Sequence, residues 1–248
     1  MQDTPVMLVA GASGSIGSAV AREAARQGWD LVLQGRSADK LAALAAEIAG
    51  AVRVTAIALD MHGDGAAQNL VDQAAARFGR LDAVVDCVST GPAGARLTGL
   101  FKDTDPAHYA AFYALSAAWF QRLAHAAWPH LAKRGGTLIA FVSDAGKFAA
   151  PRQTIVGAAR AATIGFVRNL AVEAARERIR VHCISPSYVA GSEVAAKMGA
   201  ERMVKAEQRA GLGLPNAGDI APVTVFLCGA GAAKITGQVI SINGGLNA

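Results

Sequence analysis

The sequence predicts an α/β fold in which one parallel sheet is covered by helices on both faces within a single domain. Short runs rich in valine, isoleucine and leucine alternate with alanine-rich segments of helical length along the whole chain, the pattern that βαβ crossovers produce. Runs such as Ala83-Val84-Val85-Asp86-Cys87-Val88 and Leu138-Ile139-Ala140-Phe141-Val142-Ser143 are nearly continuously apolar, as strands buried on both faces must be. The 248 residues are 52% hydrophobic and can bury a large core, and no repeat, low-complexity linker or composition break divides them.

The first strand is expected over residues 5–10, and a glycine turn leads from it into an alanine-rich helix over 15–27. Aliphatic runs at 30–34, 52–59 and 81–87 give the next three strands, separated by helices over 39–49 and 66–78. A long helix over 106–133 precedes a strand at 137–142, and a second long helix over 154–176 precedes a strand at 180–184. A helix over 219–227 and a strand over 238–242 close the pattern. The segment 192–214 is richer in Gly, Lys and Arg than its surroundings and is expected to form a mobile cap over the C-terminal edge of the sheet.

Composition narrows the function classes. Cys87, Cys183 and Cys228 lie far apart in apolar runs without CxxC spacing, so they read as packing thiols rather than a disulfide framework or zinc site. The N-terminus lacks a basic region followed by a long apolar stretch, and no apolar run approaches the ~20 residues of a membrane span, so a cytoplasmic protein without membrane contact is expected. The formal charge of +5 is scattered over Arg22, Arg26, Arg36, Arg53, Arg77 and Arg80, which argues against a nucleic-acid footprint and favours anionic small ligands.

The strongest site signal is Gly11-Ala12-Ser13-Gly14-Ser15-Ile16-Gly17, placed between the opening strand and the first helix. Glycines permit a tight turn whose backbone N–H groups approach a pyrophosphate, and the helix N-terminus adds its partial positive charge. At the end of the second strand, Gln34-Gly35-Arg36-Ser37 offers no carboxylate to a ribose 2′-hydroxyl. Arg36 can instead pair with a 2′-phosphate through charge-assisted hydrogen bonds, so NADP(H) is expected in preference to NAD(H).

These motifs resemble the short-chain dehydrogenase/reductase family over essentially the full chain, residues 1–248. The resemblance rests on the glycine turn, Asp60-Met61, Ser143-Asp144-Ala145-Gly146, Ser185-Pro186, and the ending Ile235-Thr236-Gly237-Gln238 with Asn243-Gly244-Gly245. It implies a Rossmann-type, doubly wound sheet of about seven parallel strands, and a homotetramer or homodimer built through the helices at 106–133 and 154–176. It further implies that Gly11, Ser13, Ser15, Ile16, Gly17, Arg36, Asp60, Met61, Val88, Pro186 and Val189 line the dinucleotide, with Asp60 at the adenine and Val189 at the nicotinamide amide.

The departures from the family lie in its proton-transfer machinery. The family uses a serine, a tyrosine and a lysine four residues after that tyrosine, usually with an asparagine from the preceding long helix. Ser143 matches the serine, whereas the tyrosine and lysine positions hold Val156 and Arg160, the asparagine position falls on Ser116, and the segment from 136 to 163 contains no tyrosine. The family's NNAG segment has become Asp86-Cys87-Val88-Ser89, and the glycine after Pro186 has become Ser187.

Valine cannot donate a proton, and losing a positioned acid typically costs ~10²–10⁴ in rate. Arg160 stays protonated but offers a fork of donors, so it is read either as a ribose-binding residue or as a helix residue paired with a carboxylate. Ser143 has no histidine at a base position and reads as a hydrogen-bond donor to a substrate carbonyl or as a turn residue. Tyr188 is the preferred substitute acid, with Asp144, Lys147 and Thr154 flanking the site; Tyr109 and Tyr113 read as interface or core. His125 and His130 are five apart, not the i, i+4 pair of a helical metal site, and no metal is expected.

Three functions follow: an NADP(H)-dependent oxidoreductase acting on a carbonyl or alcohol through a degenerate site built on Ser143, Arg160 and Tyr188; a non-redox lyase, isomerase or cyclase; and a nucleotide-binding partner subunit without turnover of its own. The first is placed slightly ahead. The substrate is expected to be a small molecule bordered by Lys197, Arg202 and Lys205.

Overall fold

The computed structural model describes residues 4–89, 96–196 and 200–247. Seven parallel strands form one sheet: β1 (Val6–Ala10), β2 (Asp30–Gly35), β3 (Val54–Ala58), β4 (Ala83–Asp86), β5 (Gly136–Phe141), β6 (Ile179–Pro186) and β7 (Val239–Ile242). Their order, β3-β2-β1-β4-β5-β6-β7, reverses direction between β1 and β4. In such a sheet the crevice at the carboxyl ends of the strands beside the reversal is the ligand-binding edge.

The helices are α1 (Ser15–Arg26), α2 (Ala38–Ile48), α3 (Ala66–Phe78), α4 (Tyr109–Tyr113), α5 (Trp119–Leu131), α6 (Thr154–Ala174), α7 (Glu193–Ala196), α8 (Ala200–Arg209) and α9 (Ala217–Cys228). They bury two layers. On one face Leu70, Trp119, Leu123, Ile164 and Val167 of α3, α5 and α6 pack on Leu8, Val84, Leu138 and Val181. On the other, Val20, Leu41, Ile220 and Val225 of α1, α2 and α9 pack on Val9, Leu33, Val85 and Ile139. The alternation of strand side chains between the two layers is the period-2 consequence of the pleat.

Three sequence expectations change. The single helix expected over 106–133 is broken into a 3₁₀ turn at Pro106–His108, α4, a π-helical turn at Ala114–Ala118 and α5. The segment over 192–214, where the sequence pattern placed no helix, contains α7 and α8; Ala206 is the only described residue of α8 that is buried. Finally, the helical stretch Thr154–Glu177 is long and apolar enough by composition to cross a membrane, contrary to the expectation that no run approaches that length. Here it lies along the sheet, with Ile155, Ala159, Ile164, Val167, Ala171 and Ala174 buried.

The thiols pack as expected: Cys183 and Cys228 are buried and Cys87 is half-buried, all three free. Burial pushes Cys183 and Cys228 up to about 12, so both stay protonated.

Two basic side chains on β6, Arg180 and His182, share the α9 side of the sheet. Arg180 donates to the carbonyls of Leu227, Cys228, Gly229 and Ala232, capping the end of α9. Two residues on, His182 is fully buried, and burial with the nearby Arg180 charge lowers its pKa to about 4, partly offset by the Ile235 backbone. A histidine whose folded pKa is depressed stabilises the fold above its unfolded value of ~6.5 and loses that contribution as pH falls toward 4. His182→Leu is therefore expected to flatten the stability profile between pH 6.5 and 4 by about 3 kcal/mol relative to the parent, measured by urea melts across that range. An unchanged slope would show that His182 does not carry the acid sensitivity.

Candidate functional site

The site residues come to the C-terminal ends of β1 to β6. β1 ends at Ala10 and the chain turns at Gly11, which has a φ of 74°. A Cβ there would stand 3.0 Å from the Cys87 carbonyl, so glycine is required both by conformation and by the close passage of the strand-four backbone. Gly11 N–H donates to Gln34 Oε1 at 3.1 Å, and Gln34 Nε2 donates to the Leu59 carbonyl at 2.8 Å, which ties the ends of β1, β2 and β3 together.

α1 starts at Ser15 with Gly14 as its N-cap and no side chain capping it. Its first N–H groups are consequently open to an anion. At Gly17 a Cβ would overlap the Gly11 carbonyl oxygen and stand 2.9 Å from Ala12 Cα, so the helix can rest on the turn only through glycine. Ser13 and Ile16 are half-buried beside the turn and Ser15 is exposed.

Arg36 is exposed immediately after β2 and makes no hydrogen bond among the described residues. Across from it, Asp60 accepts from the His62 N–H at 3.1 Å and pairs with His62 Nδ1 at 2.6 Å. Those bonds, with the more distant Arg36, hold Asp60 below the usual carboxylate range. Met61 is half-buried against the core of the α3 and α5 face.

β4 ends in a buried acid. Burial pushes Asp86 up to about 6, opposed by a hydrogen bond from the Val88 N–H at 3.2 Å, the Arg160 charge, and Trp119 Nε1 at 3.3 Å. Arg160, on α6, is turned inward: its Nη1 donates to the carbonyls of Phe141 at 3.2 Å and Ser116 at 3.4 Å. Burial lowers the Arg160 pKa and Asp86 raises it again. The Ser116 carbonyl also accepts from Thr163 Oγ1 at 3.1 Å, while the buried Ser116 Oγ has no partner among the described residues. A π turn frees carbonyls from the regular ladder, and Arg160 and Thr163 satisfy the one at Ser116.

Ser143 follows β5 and caps the 3₁₀ turn Asp144–Gly146, its Oγ accepting from Ala145 N–H at 3.4 Å. Asp144 is buried and accepts from Ser185 Oγ (2.7 Å), Asn243 Nδ2 (2.7 Å) and Asn247 Nδ2 (3.0 Å). Lys147 Nζ donates to Ser241 Oγ at 2.5 Å. Asp144 and Lys147 therefore tie the turn after β5 to β6, β7 and the segment after β7, while Thr154, the third flanking candidate, is the first residue of α6. Val156 packs with Leu97, Phe112, Ile155 and Ala159. Tyr109 shares a 2.6 Å hydrogen bond with Thr104 and Tyr113 packs edge-on to Phe112, so both serve local packing.

Tyr188 is half-buried two residues beyond Pro186, where β6 ends, and has no hydrogen-bond partner among the described residues. Val189 is buried, and Ala190 N–H donates to the Pro215 carbonyl at 2.8 Å, fastening the cap to the segment before α9. On α8, Lys205 pairs with Glu201 at 2.6 Å; Arg202 lies in the same helix, and Lys197 falls outside the described residues.

Residues 11–247 match a protein-family model described as Enoyl-(Acyl carrier protein) reductase. The chain belongs to the short-chain dehydrogenase/reductase family. Nodulation protein G of Rhizobium meliloti (strain 1021) is 31% identical over 96% of this chain and 95% of that protein. The (2S)-[(R)-hydroxy(phenyl)methyl]succinyl-CoA dehydrogenase subunit BbsC of Thauera aromatica is 31% identical over 98% of this chain and 94% of its own length. A solved 7α-hydroxysteroid dehydrogenase complexed with NADH and 7-oxo glycochenodeoxycholic acid superposes with a TM-score of 0.90 at 26% identity, covering 98% of this chain and 94% of that one. Membership in this oxidoreductase family accounts for the glycine turn and the sheet order together.

The buried acid at the end of β4 escaped the sequence reading, which saw Asp86 only as a departure from a motif. A carboxylate inside the apolar run AVVDCV was the available signal, since a charge there needs a buried partner.

Proposed function

We propose that this chain is an NADP(H)-binding oxidoreductase-family protein for a carbonyl or alcohol substrate, whose residues at 143, 156 and 160 do not supply the proton. The observation that carries this reading is the inward turn of Arg160 onto the Ser116 and Phe141 carbonyls, beside Val156 in an apolar cluster. Valine has no donor to offer at residue 156, and Arg160 Nη1 is engaged by main-chain carbonyls.

The dinucleotide fits the residues present. The glycine turn leaves a cradle that a Cβ at Gly11 or Gly17 would fill, the uncapped start of α1 suits a pyrophosphate, and Arg36 is an exposed cation after β2 with no hydrogen bond among the described residues. Ser13, Ser15 and Ile16 would border the phosphates, Arg36 the 2′-phosphate, Asp60, Met61 and Val88 the adenine end, and Pro186 and Val189 the nicotinamide end. When bound, the nicotinamide supplies or accepts hydride. Ser143 Oγ orients the substrate oxygen, and Tyr188 is the remaining phenol on this edge for proton transfer. Arg160, held inside, positions the π turn rather than the ribose.

A second reading, a nucleotide-binding subunit acting with an active homologue, is favoured by the relative named as a dehydrogenase subunit. We place either form in the cytoplasm, as a homo-oligomer or mixed oligomer built through the two long helical segments.

Titration with NADPH and NADH by nicotinamide fluorescence and calorimetry tests the cofactor assignment. Arg36→Ala is expected to weaken NADPH by about 10–100-fold, the value of a charge-assisted contact of ~1.5–3 kcal/mol, and to leave NADH unchanged. Equal loss for both forms, or no binding by the parent, would defeat the NADP(H) reading. Residual ketone reduction that vanishes in Tyr188→Phe would assign the proton to Tyr188, and turnover only with an added homologous subunit would favour the second reading.

A further inference from the structure

Seven large apolar side chains are substantially exposed among the described residues, and five of them, Leu100, Phe101, Phe148, Val204 and Leu212, lie on the segments that follow β4, β5 and β6. These three strands are neighbours in the sheet, so the three segments emerge side by side at the C-terminal edge. Leu212 is 89% exposed. Scattered apolar residues on a surface are ordinary, but their concentration on one functional edge marks a ligand or partner.

A cleft of about 380 Å³ opens along the same edge, beginning two residues after Ser143 and lined by Ala145, Phe148, Ala150, Pro151, Thr154 and Gly157 among others. None of its lining side chains is ionisable, and Gln153 and Thr154 are its only polar ones. Its wall is close-packed: a Cβ on Gly157 would stand 2.6 Å from the Ala145 carbonyl oxygen. The rim is fixed as well. Gly99 N–H donates to the Arg152 carbonyl at 2.8 Å, joining the loop after β4 to the loop after β5, and Arg152 holds a φ of 69°, a left-handed conformation that costs a non-glycine residue energy. Strain retained at the rim of a cleft fits a preorganised binding surface.

We propose that this cleft takes a bulky apolar body attached to the reacting carbonyl or alcohol carbon, so that the substrate is an apolar ketone or secondary alcohol rather than a small polyol or sugar. The inference rests on the reading of this edge as a substrate site. The lining offers a sugar or polyol only the Gln153 and Thr154 side chains as hydrogen-bond partners, whereas a ring or branched chain covers the alanine wall and the Phe148 ring, beside which Lys147 Nζ stands 5.1 Å from the ring centroid, at ~25 cal/mol per Å² of apolar surface removed from water.

The test is a calorimetric titration of the protein, saturated with NADP⁺, using 1-tetralone, 2-decanone and dihydroxyacetone. At least one apolar ketone is expected to bind below 1 mM and at least about 30-fold more tightly than dihydroxyacetone, a gap of ~2 kcal/mol. Ala150→Trp, which fills the cleft, is expected to weaken that ketone at least tenfold with NADP⁺ affinity unchanged. Phe148→Ala removes an exposed ring and is expected to weaken it about threefold, and it decides the matter if Ala150→Trp does not fold. Binding of dihydroxyacetone as tight as that of the apolar ketones, binding of neither apolar ketone, or ketone affinity unchanged in the folded variants would overturn the proposal. Loss of oligomerisation in Phe101→Ser without change in ketone affinity would assign the rim to a chain-to-chain interface and overturn it as well. Ketone binding without NADP⁺ binding would instead sink the cofactor reading and leave the cleft assignment standing.

Discussion

Arg160→Ala is expected to destabilise the protein by about 3–5 kcal/mol, a loss read as a fall of roughly 6–20 °C in Tm for a chain of this size. The guanidinium is the buried charge that faces Asp86, and its Nη1 satisfies the Phe141 and Ser116 carbonyls. Its removal strands a carboxylate in the core, takes a donor from the Phe141 carbonyl and leaves the Ser116 carbonyl with Thr163 alone, and breaking a buried pair in this way is costly. The sign of the pH dependence follows from Asp86. A carboxyl raised to about 6 adds stability below its unfolded value of 3.8 and loses that contribution as pH rises through 6. Without Arg160 the carboxyl is raised further, so the penalty is largest at pH 8 and shrinks toward pH 5. Adding Asp86→Asn is expected to recover a substantial part of the loss at pH 8. Urea melts of the single and double variants at both pH values check this, and a penalty independent of pH would show that the two groups are not coupled.

Gly17→Ala should abolish useful dinucleotide binding, weakening NADPH by about 100-fold or ~3 kcal/mol, although alanine is the better helix former. A methyl group at residue 17 meets the Gly11 carbonyl and the Ala12 backbone, and none of those atoms belongs to a flexible side chain that can swing away. α1 must lift from the turn, and the Gly14 N–H to Gly11 carbonyl bond at 3.0 Å that shapes the turn is lost. Overpacking of this kind also costs ~1–3 kcal/mol of stability. Fluorescence titration of Gly17→Ala beside Gly165→Ala, a helical glycine where a Cβ meets nothing within 4 Å, separates local exclusion from a general effect of losing a glycine. Near-parental NADPH affinity in Gly17→Ala would count against the turn as the phosphate cradle.

The sheet was legible because its inner strands are buried on both faces and cannot hide their composition; the runs around Val9, Val85 and Ile139 have the same signature wherever they occur. The glycine turn was legible because its position between a strand and a helix is itself sequence information. The interruption of the long helix was not. Ala114-Leu115-Ser116-Ala117-Ala118 has helix-favouring residues throughout, and the π turn is stabilised from outside by Arg160 and Thr163, which are more than forty residues away in the chain. The inward aim of Arg160 was unreadable for the same reason, since it depends on Asp86 and on that turn. Asp144 flanked the site in sequence, yet three partners from β6 and the last residues of the described chain convert it into a fastener.

The π turn at Ala114–Ala118 amounts to one residue more than a regular helix would use. Deleting a single residue there would restore an even spiral, and for most helices such a repair would be welcome. In this one it would rotate all that precedes it by about 100°, because each residue advances an α-helix by that angle. Phe112 would swing away from Leu97 and Ile155, and the Ser116 carbonyl would return to the helix ladder, out of reach of Arg160. The irregular turn therefore sets a limit on length change in this family member: insertions and deletions are tolerable in its surface loops, whereas this helix must keep its odd residue for the interior to stay in phase.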